Sequence, residues 1–523
     1  MAKSDREIIS INPATGQEIA RVQQSTTDEI ASAVAAARRC FSSQWSRTSF
    51  SNRRQLLLRA RGIILEEMDS IAKLISAESG KPFGEAIAME IVPVLDLMRW
   101  VASDAEKILR PRKIRIGLYA LLGRSSRIEY KPLGVIGIIP AWNYPFSIPL
   151  GEAAMALMAG NTVVIKPSEL TPLVGMKIGE IFSRAGFPAD AVKIVSGGGG
   201  VGSGLVNAAP DKILFTGSVA TGKKILAAAA EKMIPVVLEL GGKDPMIVFE
   251  DANLQQAAAA AVWGAFCNAG QSCSSVERLY VHESIAEELT KKIVEKTRLL
   301  KQGDPLLEEV SIGAISSERQ VSVVERHVDD FREAGAVIRT GGRRNPNFAN
   351  AETNLFYEPT VITGATNEMR PMQEETFGPT LPIATFRDEA EAIRLANDSE
   401  FGLTASVWTR DRSRGRRVAR QIEAGTVCIN EVLYTHGIGQ TPWGGVKNSG
   451  RGWTHGVEGF FELVRPQHIH TNHLAILPDA WWMPYSPVAV ETFRGFARKF
   501  ASGSLLRTAT LLPQLIRRIR EIL

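Results

Sequence analysis

The chain has 523 residues, enough for two or three domains, with 45% hydrophobic and 22% charged residues, the balance of an ordinary globular protein. The formal net charge of +5 resides in the tail: from Ser486 onward seven Lys/Arg stand against two acids, so residues 1–485 are neutral and carry no nucleic-acid footprint. Four cysteines (Cys40, Cys267, Cys273, Cys428) without CxxC or metal-ligand spacing, and a charged start that is no secretory signal, favour a cytoplasmic, metal-free protein.

Asn12–Gly16 reads as a turn between two short strands. Thr26-Thr27-Asp28-Glu29 has the form of a capping box, and Ile30, Ala33, Val34 and Ala37 then share one helix face. Amphipathic helix follows from about Arg53 to Glu78 and from Phe83 to about Leu109; this stretch reads as scaffold. Arg127–Lys131 alternates like a projecting strand. Pro132 to Gly151 is twenty residues without a charge, a length that satisfies a crude membrane-span criterion. Its four prolines and Asn143 fit a strand followed by a loop instead.

From Leu133 a strand–helix rhythm begins. Strands are expected at Val135–Ile139, Thr162–Ile165, Val192–Val195, Ile213–Phe215 and Val236–Leu238, with helices including Gly151–Ala159, Leu173–Ala185 and Gly222–Lys232. A second rhythm runs from Met246 to Ile429, with strands including Leu279–Val281, Val337–Thr340, Leu381–Phe386, Ser406–Trp408 and Thr426–Ile429. Such alternation implies two parallel sheets wrapped by helices, split near Glu239. Gly197–Gly204 is glycine-rich after a strand, which leaves a phosphate loop and a flexible loop both open. Gly217 and Ser218, between a strand and a helix, would let a pyrophosphate approach the helix N-terminus.

Two residues at the joint point to chemistry. Glu239 ends a β-branched run before Gly241-Gly242-Lys243. A carboxylate there is costly unless paired or functional, and burial raises its pKa toward that of a general base. The alternative is an ion pair with Lys243. Cys273 follows Ala257–Ala261, in a helix expected to stop near Asn268 or Gly270. That places Cys273 on an irregular loop, as a nucleophile if a base or oxyanion site meets it, or else as a small core residue.

The strings Leu238-Glu239-Leu240-Gly241-Gly242-Lys243 and Phe266-Cys267-Asn268-Ala269-Gly270-Gln271-Ser272-Cys273, with 34 residues from Glu239 to Cys273, resemble the general-base and nucleophile motifs of the aldehyde dehydrogenase superfamily. The resemblance covers roughly residues 8 to 470. It implies two Rossmann-like α/β domains plus a small β oligomerisation element: 1–124 and 135–238 for NAD(P), 239–454 for catalysis, 125–134 and 455–475 as oligomerisation strands of a homodimer or tetramer. By the same resemblance Cys273, Glu239 and Asn143 are catalytic, and Trp142, Lys166, Ser168, Glu169, Gly217, Ser218, Gly222, Glu375 and Phe377 bind the cofactor. Glu169 favours NAD, while Ser168 leaves room for some NADP use. Tyr144, Ile148, Gly151 and Cys267 fall in the substrate pocket, and Gly151 suggests a wide channel. Glu152 stands where relatives often carry a basic residue, and Arg451–His455 departs from the family pattern.

The implied activity is oxidation of an aldehyde to a carboxylic acid through a cysteine thiohemiacetal and thioester. Glu239 argues against a CoA-acylating enzyme, and the intact motifs argue against a non-catalytic binding protein. Past residue 475 the resemblance fades. Phe493, Phe496, Ala497 and Phe500 share a helix face, as do Leu515, Ile516, Ile519, Ile522 and Leu523, with Arg517, Arg518 and Arg520 opposite. Residues 476–523 thus read as a basic amphipathic tail, suited either to peripheral contact with an anionic membrane or to an oligomer or intramolecular contact. The membrane reading goes with a hydrophobic, long-chain aldehyde.

Overall fold

The computed structural model describes residues 7–121, 123–348, 353–502 and 510–523; the charged start and Arg507 lie outside them. The chain forms two compact units, Met1–Ile108 with Pro132–Val464, and Leu109–Lys131 with Arg465–Leu523.

The first unit holds two sheets. One has six strands in the order Gly450–Arg451, Val236–Glu239, Lys212–Thr216, Val135–Ile139, Thr162–Ile165, Val192–Ile194. All are parallel except the short edge strand, whose Gly450 pairs antiparallel with Glu239. The other has seven, in the order Val337–Thr340, Thr360–Thr363, Thr380–Phe386, Val276–His282, Asp244–Val248, Thr404–Trp408, Thr426–Ile429. It is parallel apart from the edge strand Val337–Thr340.

Local sequence explains the helices that cover these sheets. Thr26 Oγ1 accepts from Glu29 N while Glu29 Oε2 accepts from Thr26 N, so the expected capping box starts the helix Thr27–Ser43. Its buried face, Ile30, Ala33, Val34 and Ala37, packs on Val135, Ile139, Val164 and Ile213. The helix Ser147–Ala159 begins earlier than expected and is buried along its whole length, which suits its uniformly apolar sequence. In the second core the small residues Ala257, Ala258, Ala261 and Ala265 bring the helix Leu254–Phe266 down onto Met246, Val248, Leu279 and Val281. Gly199–Asn207 is a helix anchored by Val201, Leu205 and Val206, so most of the glycine-rich stretch is not a loop.

The second unit contains a three-stranded sheet in the order Val464–Asn472, Arg124–Pro132, Arg112–Ile114. Phe460 lies in the helix Gly456–Glu462, so the strand expected from there begins only at Val464. The tail forms the helices Pro487–Ser502 and Leu512–Ile522. Phe496, Leu511 and Ala480 make a small core. One expectation fails: Arg518 is fully buried, not on an outer polar face. Its guanidinium donates to the carbonyls of Ala480, Trp482 and Pro484 and pairs with Glu521 at 2.7 Å. Three carbonyl acceptors and a carboxylate satisfy a charge that the helical pattern alone would leave in solvent. Ala497, placed on the apolar face by periodicity, is exposed. Among the described residues no helix is long and apolar enough to cross a membrane.

Candidate active site

The helix Leu254–Phe266 is capped by Asn253 Oδ1 and stops at Phe266. Asn268 and Ala269 then adopt left-handed backbone angles (φ 53° each), and Gly270 follows at φ 73°. A Cβ on Gly270 would collide with the carbonyl of Gly378, so only glycine lets the two loops close. Gln271 locks the turn: its Nε2 donates to Asn268 O at 2.9 Å and its Oε1 accepts from Ser316 N at 2.9 Å. On the resulting loop Cys273 is half-buried, whereas the other three cysteines are buried. Burial of its sulfur, reinforced by the charges of Asp244, Glu239 and Glu375, keeps the thiol protonated well above its ordinary range.

Glu239 lies at the end of its strand, buried, with neither carboxylate oxygen in a well-formed hydrogen bond. Lys243 does not pair with it. Lys243 Nζ instead sits 2.6 Å from Glu277 Oε2. Burial and the neighbouring charge of Glu152 raise the Glu239 pKa well above the usual carboxylate value, tempered by the Trp443 indole. A carboxyl so placed is a stronger base than an exposed one.

Asn143 Nδ2 donates to Gln271 O at 3.1 Å, which leaves its second N–H free. Its backbone carbonyl accepts from Asn268 Nδ2 at 3.1 Å and from Lys81 Nζ at 2.9 Å. Lys81 also pairs with Glu90 at 2.6 Å, with both side chains fully buried, and Glu90 Oε2 receives the N–H groups of Phe146 and Ser147. Glu85 accepts from Asn268 N at 2.8 Å, and burial raises its pKa to about 7. The stretch read as scaffold therefore supports both the Asn143 and the Cys273 loops. Here the helix widens into a π-turn over Ala86–Ile91, a distortion often found at functional sites. Sequence periodicity gave no sign of it.

Two cavities meet at Cys273, Glu239, Leu240 and Thr216. Trp142, Gly217, Ser218, Glu375 and Phe377 line the second. Phe377 meets Trp142 edge-on with centroids 5.5 Å apart. Glu277 accepts from the N–H groups of Thr376 and Phe377 at 2.8 and 2.7 Å, and Glu375 Oε1 accepts from Gly242 N at 2.9 Å. Burial first, then the Glu277 charge, raises the Glu375 carboxyl to about 8. Lys243 of the general-base motif completes this frame with Gln320 and Glu277, two residues that carried no motif of their own.

Ser218 caps the helix Val219–Ala230. Gly222 lies inside that helix against Leu240 and does not line the cavity. Lys166 and Glu169 pair at 3.3 Å beside Ser168, outside the cavity wall. An N-terminal helix turn with Gly217, an aromatic pair and a carboxylate next to the thiol form a donor set that fits a nicotinamide dinucleotide.

Tyr144 and Ile148 line the first cavity as expected. Cys267 does not; it is buried near Glu85 and Lys81. Gly151 does not widen the channel, because Leu97 and His455 already fill the space above it: an added Cβ would lie 2.7 Å from Leu97 Cδ2. Met89, Pro93, Leu433, Tyr434, His436 and Trp443 also line the cavity. They come from segments far apart in sequence, so only the fold brings them together. Glu152 is there too, buried, with Oε2 unpaired and its pKa raised by burial to about 8.

The model of the Aldehyde dehydrogenase family matches residues 1–469. The chain is 39% identical over 479 residues to a 4,4'-diapolycopene aldehyde oxidase of Methylomonas sp, covering 91% of this chain and 88% of that protein. It is 38% identical over 488 residues to the peroxisomal aminoaldehyde dehydrogenase 1 of Pisum sativum, covering 92% and 95%. Among solved structures, betaine aldehyde dehydrogenase from Staphylococcus aureus in complex with NAD+ superposes with a TM-score of 0.86 at 33% identity, covering 92% of this chain and 95% of that one. The NAD-dependent aldehyde dehydrogenase from Sinorhizobium meliloti gives 0.87 at 36%, covering 92% and 94%.

Proposed function

Because this chain belongs to the aldehyde dehydrogenase family and oxidises an aldehyde to the acid with a nicotinamide cofactor, we propose that Cys273 is the nucleophile, Glu239 the general base and Asn143 the oxyanion donor. The observation that carries this division is the meeting of two cavities at Cys273 and Glu239. The aldehyde enters from one, and Cys273 attacks its carbonyl carbon as the thiolate, its thiol proton having first passed to Glu239 and on to solvent. The free Asn143 N–H and the Cys273 backbone N–H donate to the developing oxyanion. NAD held in the other cavity would supply the electron-poor nicotinamide ring as hydride acceptor. The thioester that remains on Cys273 faces Glu239, which takes a proton from water as that water attacks. Thiolate leaves, and the acid departs. Trp142, Gly217, Ser218, Glu375 and Phe377 hold the cofactor, with Lys166 and Glu169 on its ribose and Ser168 beside them. Reduced-cofactor formation by the wild type and Cys273→Ala, across aldehydes from short and polar to long and apolar, tests the assignment. Turnover retained in the variant contradicts it.

The domain division follows from the same roles. The six-stranded sheet carries the cofactor and the seven-stranded sheet carries Cys273. The exposed edge strand Val464–Asn472 offers free backbone groups to a second copy, so the expected oligomer is a dimer built there.

The substrate is an apolar aldehyde. Met89, Pro93, Ile148, Leu433 and Trp443 supply an apolar wall, and the tail supplies a membrane-facing surface. Trp482, Met483, Tyr485 and Leu512 are 56, 72, 63 and 58% exposed, in the same unit as the exposed Arg494, Arg498, Arg517 and Arg520. Exposed aromatic and apolar side chains among arginines suit the interface of an anionic bilayer. Flotation with vesicles containing phosphatidylserine is expected for the full chain and lost on replacing Trp482, Met483 and Arg517 by Ser. Equal flotation of both proteins, or association of the full chain only with itself, contradicts this reading.

A further inference from the structure

Hydrolysis of the thioester leaves a proton on Glu239, and that proton must reach solvent before the next turnover. Glu239 is buried with neither carboxylate oxygen in a well-formed hydrogen bond, and among the described residues no titratable partner offers it a direct outlet. The remaining polar groups of the cavity supply one. Glu152 projects from the helix Ser147–Ala159 into the same cavity, with Oε2 unpaired. His455 lies beside that helix: a Cβ built on the adjacent Gly151 would be 3.8 Å from its Nε2. Its Nδ1 is buried and unpaired. His436 follows, its ring centroid 4.7 Å from that of His455, on the half-exposed turn Tyr434–Gly437.

We propose that Glu152, His455 and His436 form the exit route for the proton that thioester hydrolysis leaves on Glu239. The proposal rests on Glu239 being the base. It accounts for an acid at position 152: a lysine there would already carry a proton, whereas a carboxyl near Glu239 accepts one and releases it. Two carboxyls in a dry site cannot both ionise, so when Glu239 is free to act as base the pair holds one proton, on Glu152. The water proton adds a second. One proton then passes from Glu152 to His455, from His455 to His436 and on to solvent, and the pair returns to its resting state. Burial keeps both imidazoles neutral at rest, so neither holds a proton between turnovers.

The other titratable groups facing this route are Cys273 from the nucleophile loop, Tyr144 before the helix, and Tyr434 beside His436. Behind Glu152 a small cavity reaches Glu462, which is paired with Lys212 and so is occupied as a proton acceptor. Glu152 acts through Glu239 and is a positioning residue for its proton.

The test compares wild type, Glu239→Gln, Glu152→Gln, Glu152→Asp and His455→Asn by rapid mixing and by steady-state pH profiles. Glu239→Gln is expected to give a burst of reduced cofactor and then stall. Glu152→Gln keeps the burst, slows steady-state turnover about tenfold, and moves the acid limb of kcat down by about one pH unit, because the like charge that raises Glu239 is gone. Glu152→Asp restores most of the rate, and His455→Asn slows turnover without moving the limb. If Glu239→Gln stalls while Glu152→Gln leaves rate and limb unchanged, the route is overturned although the base stands. A Glu239→Gln enzyme that turns over normally removes the base and the route together.

Discussion

Lys243 donates to the Glu277 carboxylate across 2.6 Å inside the protein, and this bond leaves Glu239 without a cation. Glu277 in turn accepts the N–H groups of Thr376 and Phe377. One buried pair thus frees the base and holds the loop that bears Glu375 and Phe377. Lys243→Met strands the Glu277 charge in the interior, and the expected loss is about 3–5 kcal/mol of stability. A lowered midpoint in denaturant, with weaker cofactor binding by fluorescence titration, checks it. An unchanged midpoint contradicts the role given to the pair.

Asn143 is fixed from its carbonyl by Lys81 and Asn268, so its amide is set in place before substrate arrives. Asn143→Ala is expected to lower kcat by about 100–1,000-fold, with cofactor affinity little altered. Steady-state kinetics alongside cofactor titration separates the two effects.

The Cys273 thiol is held protonated by burial and by three carboxylates. Its alkylation by iodoacetamide should therefore be slow at neutral pH and rise steadily with pH. Adding NAD+ brings a positive ring beside the sulfur and should speed the reaction at fixed pH. Quenched alkylation read by mass spectrometry measures both. A rate that is independent of pH and cofactor contradicts the electrostatic account.

The Glu152 carboxyl is raised to about 8 in the folded chain. A group whose folded pKa is raised binds its proton more tightly when folded. The associated stability is complete below the unfolded value, near about 4.3, and is lost as pH rises toward 8. Glu152→Gln removes this loss. Its melting temperature should match wild type at acid pH and exceed it by a few degrees at pH 8, measured by scanning fluorimetry.

Glu169 pairs with Lys166 at 3.3 Å and is half-exposed. A 2′-phosphate near it meets a like charge, worth about 1–4 kcal/mol at close range. Glu169→Ala should raise NADP use relative to NAD by about tenfold or more. The ratio of kcat/KM values for the two cofactors decides it.

Much of this was legible in the sequence because it is local. The capping box at Thr26, the strand–helix alternation and the loop after Phe266 each follow from neighbours in the chain. What escaped depends on distant partners. Lys81 and Glu90 sit in a stretch whose periodicity reads as plain helix, yet they hold Asn143. Tyr434, His436 and Trp443 join the pocket only once the second sheet is folded. Gly151 suggested space, but Leu97 fills it, and a glycine's surroundings are set by other helices. Arg518 broke the amphipathic pattern because backbone carbonyls of an adjoining segment satisfy it.

In the proposed cycle Cys273 carries the acyl group and Glu239 releases it. The most direct measurement is rapid-mixing absorbance of reduced cofactor with Glu239→Gln, followed by mass spectrometry of the quenched protein. One reduced cofactor per active site is expected, then a stall, with the acyl mass on the peptide bearing Cys273. Continuous turnover by Glu239→Gln, or an acyl mass on another residue, would contradict it.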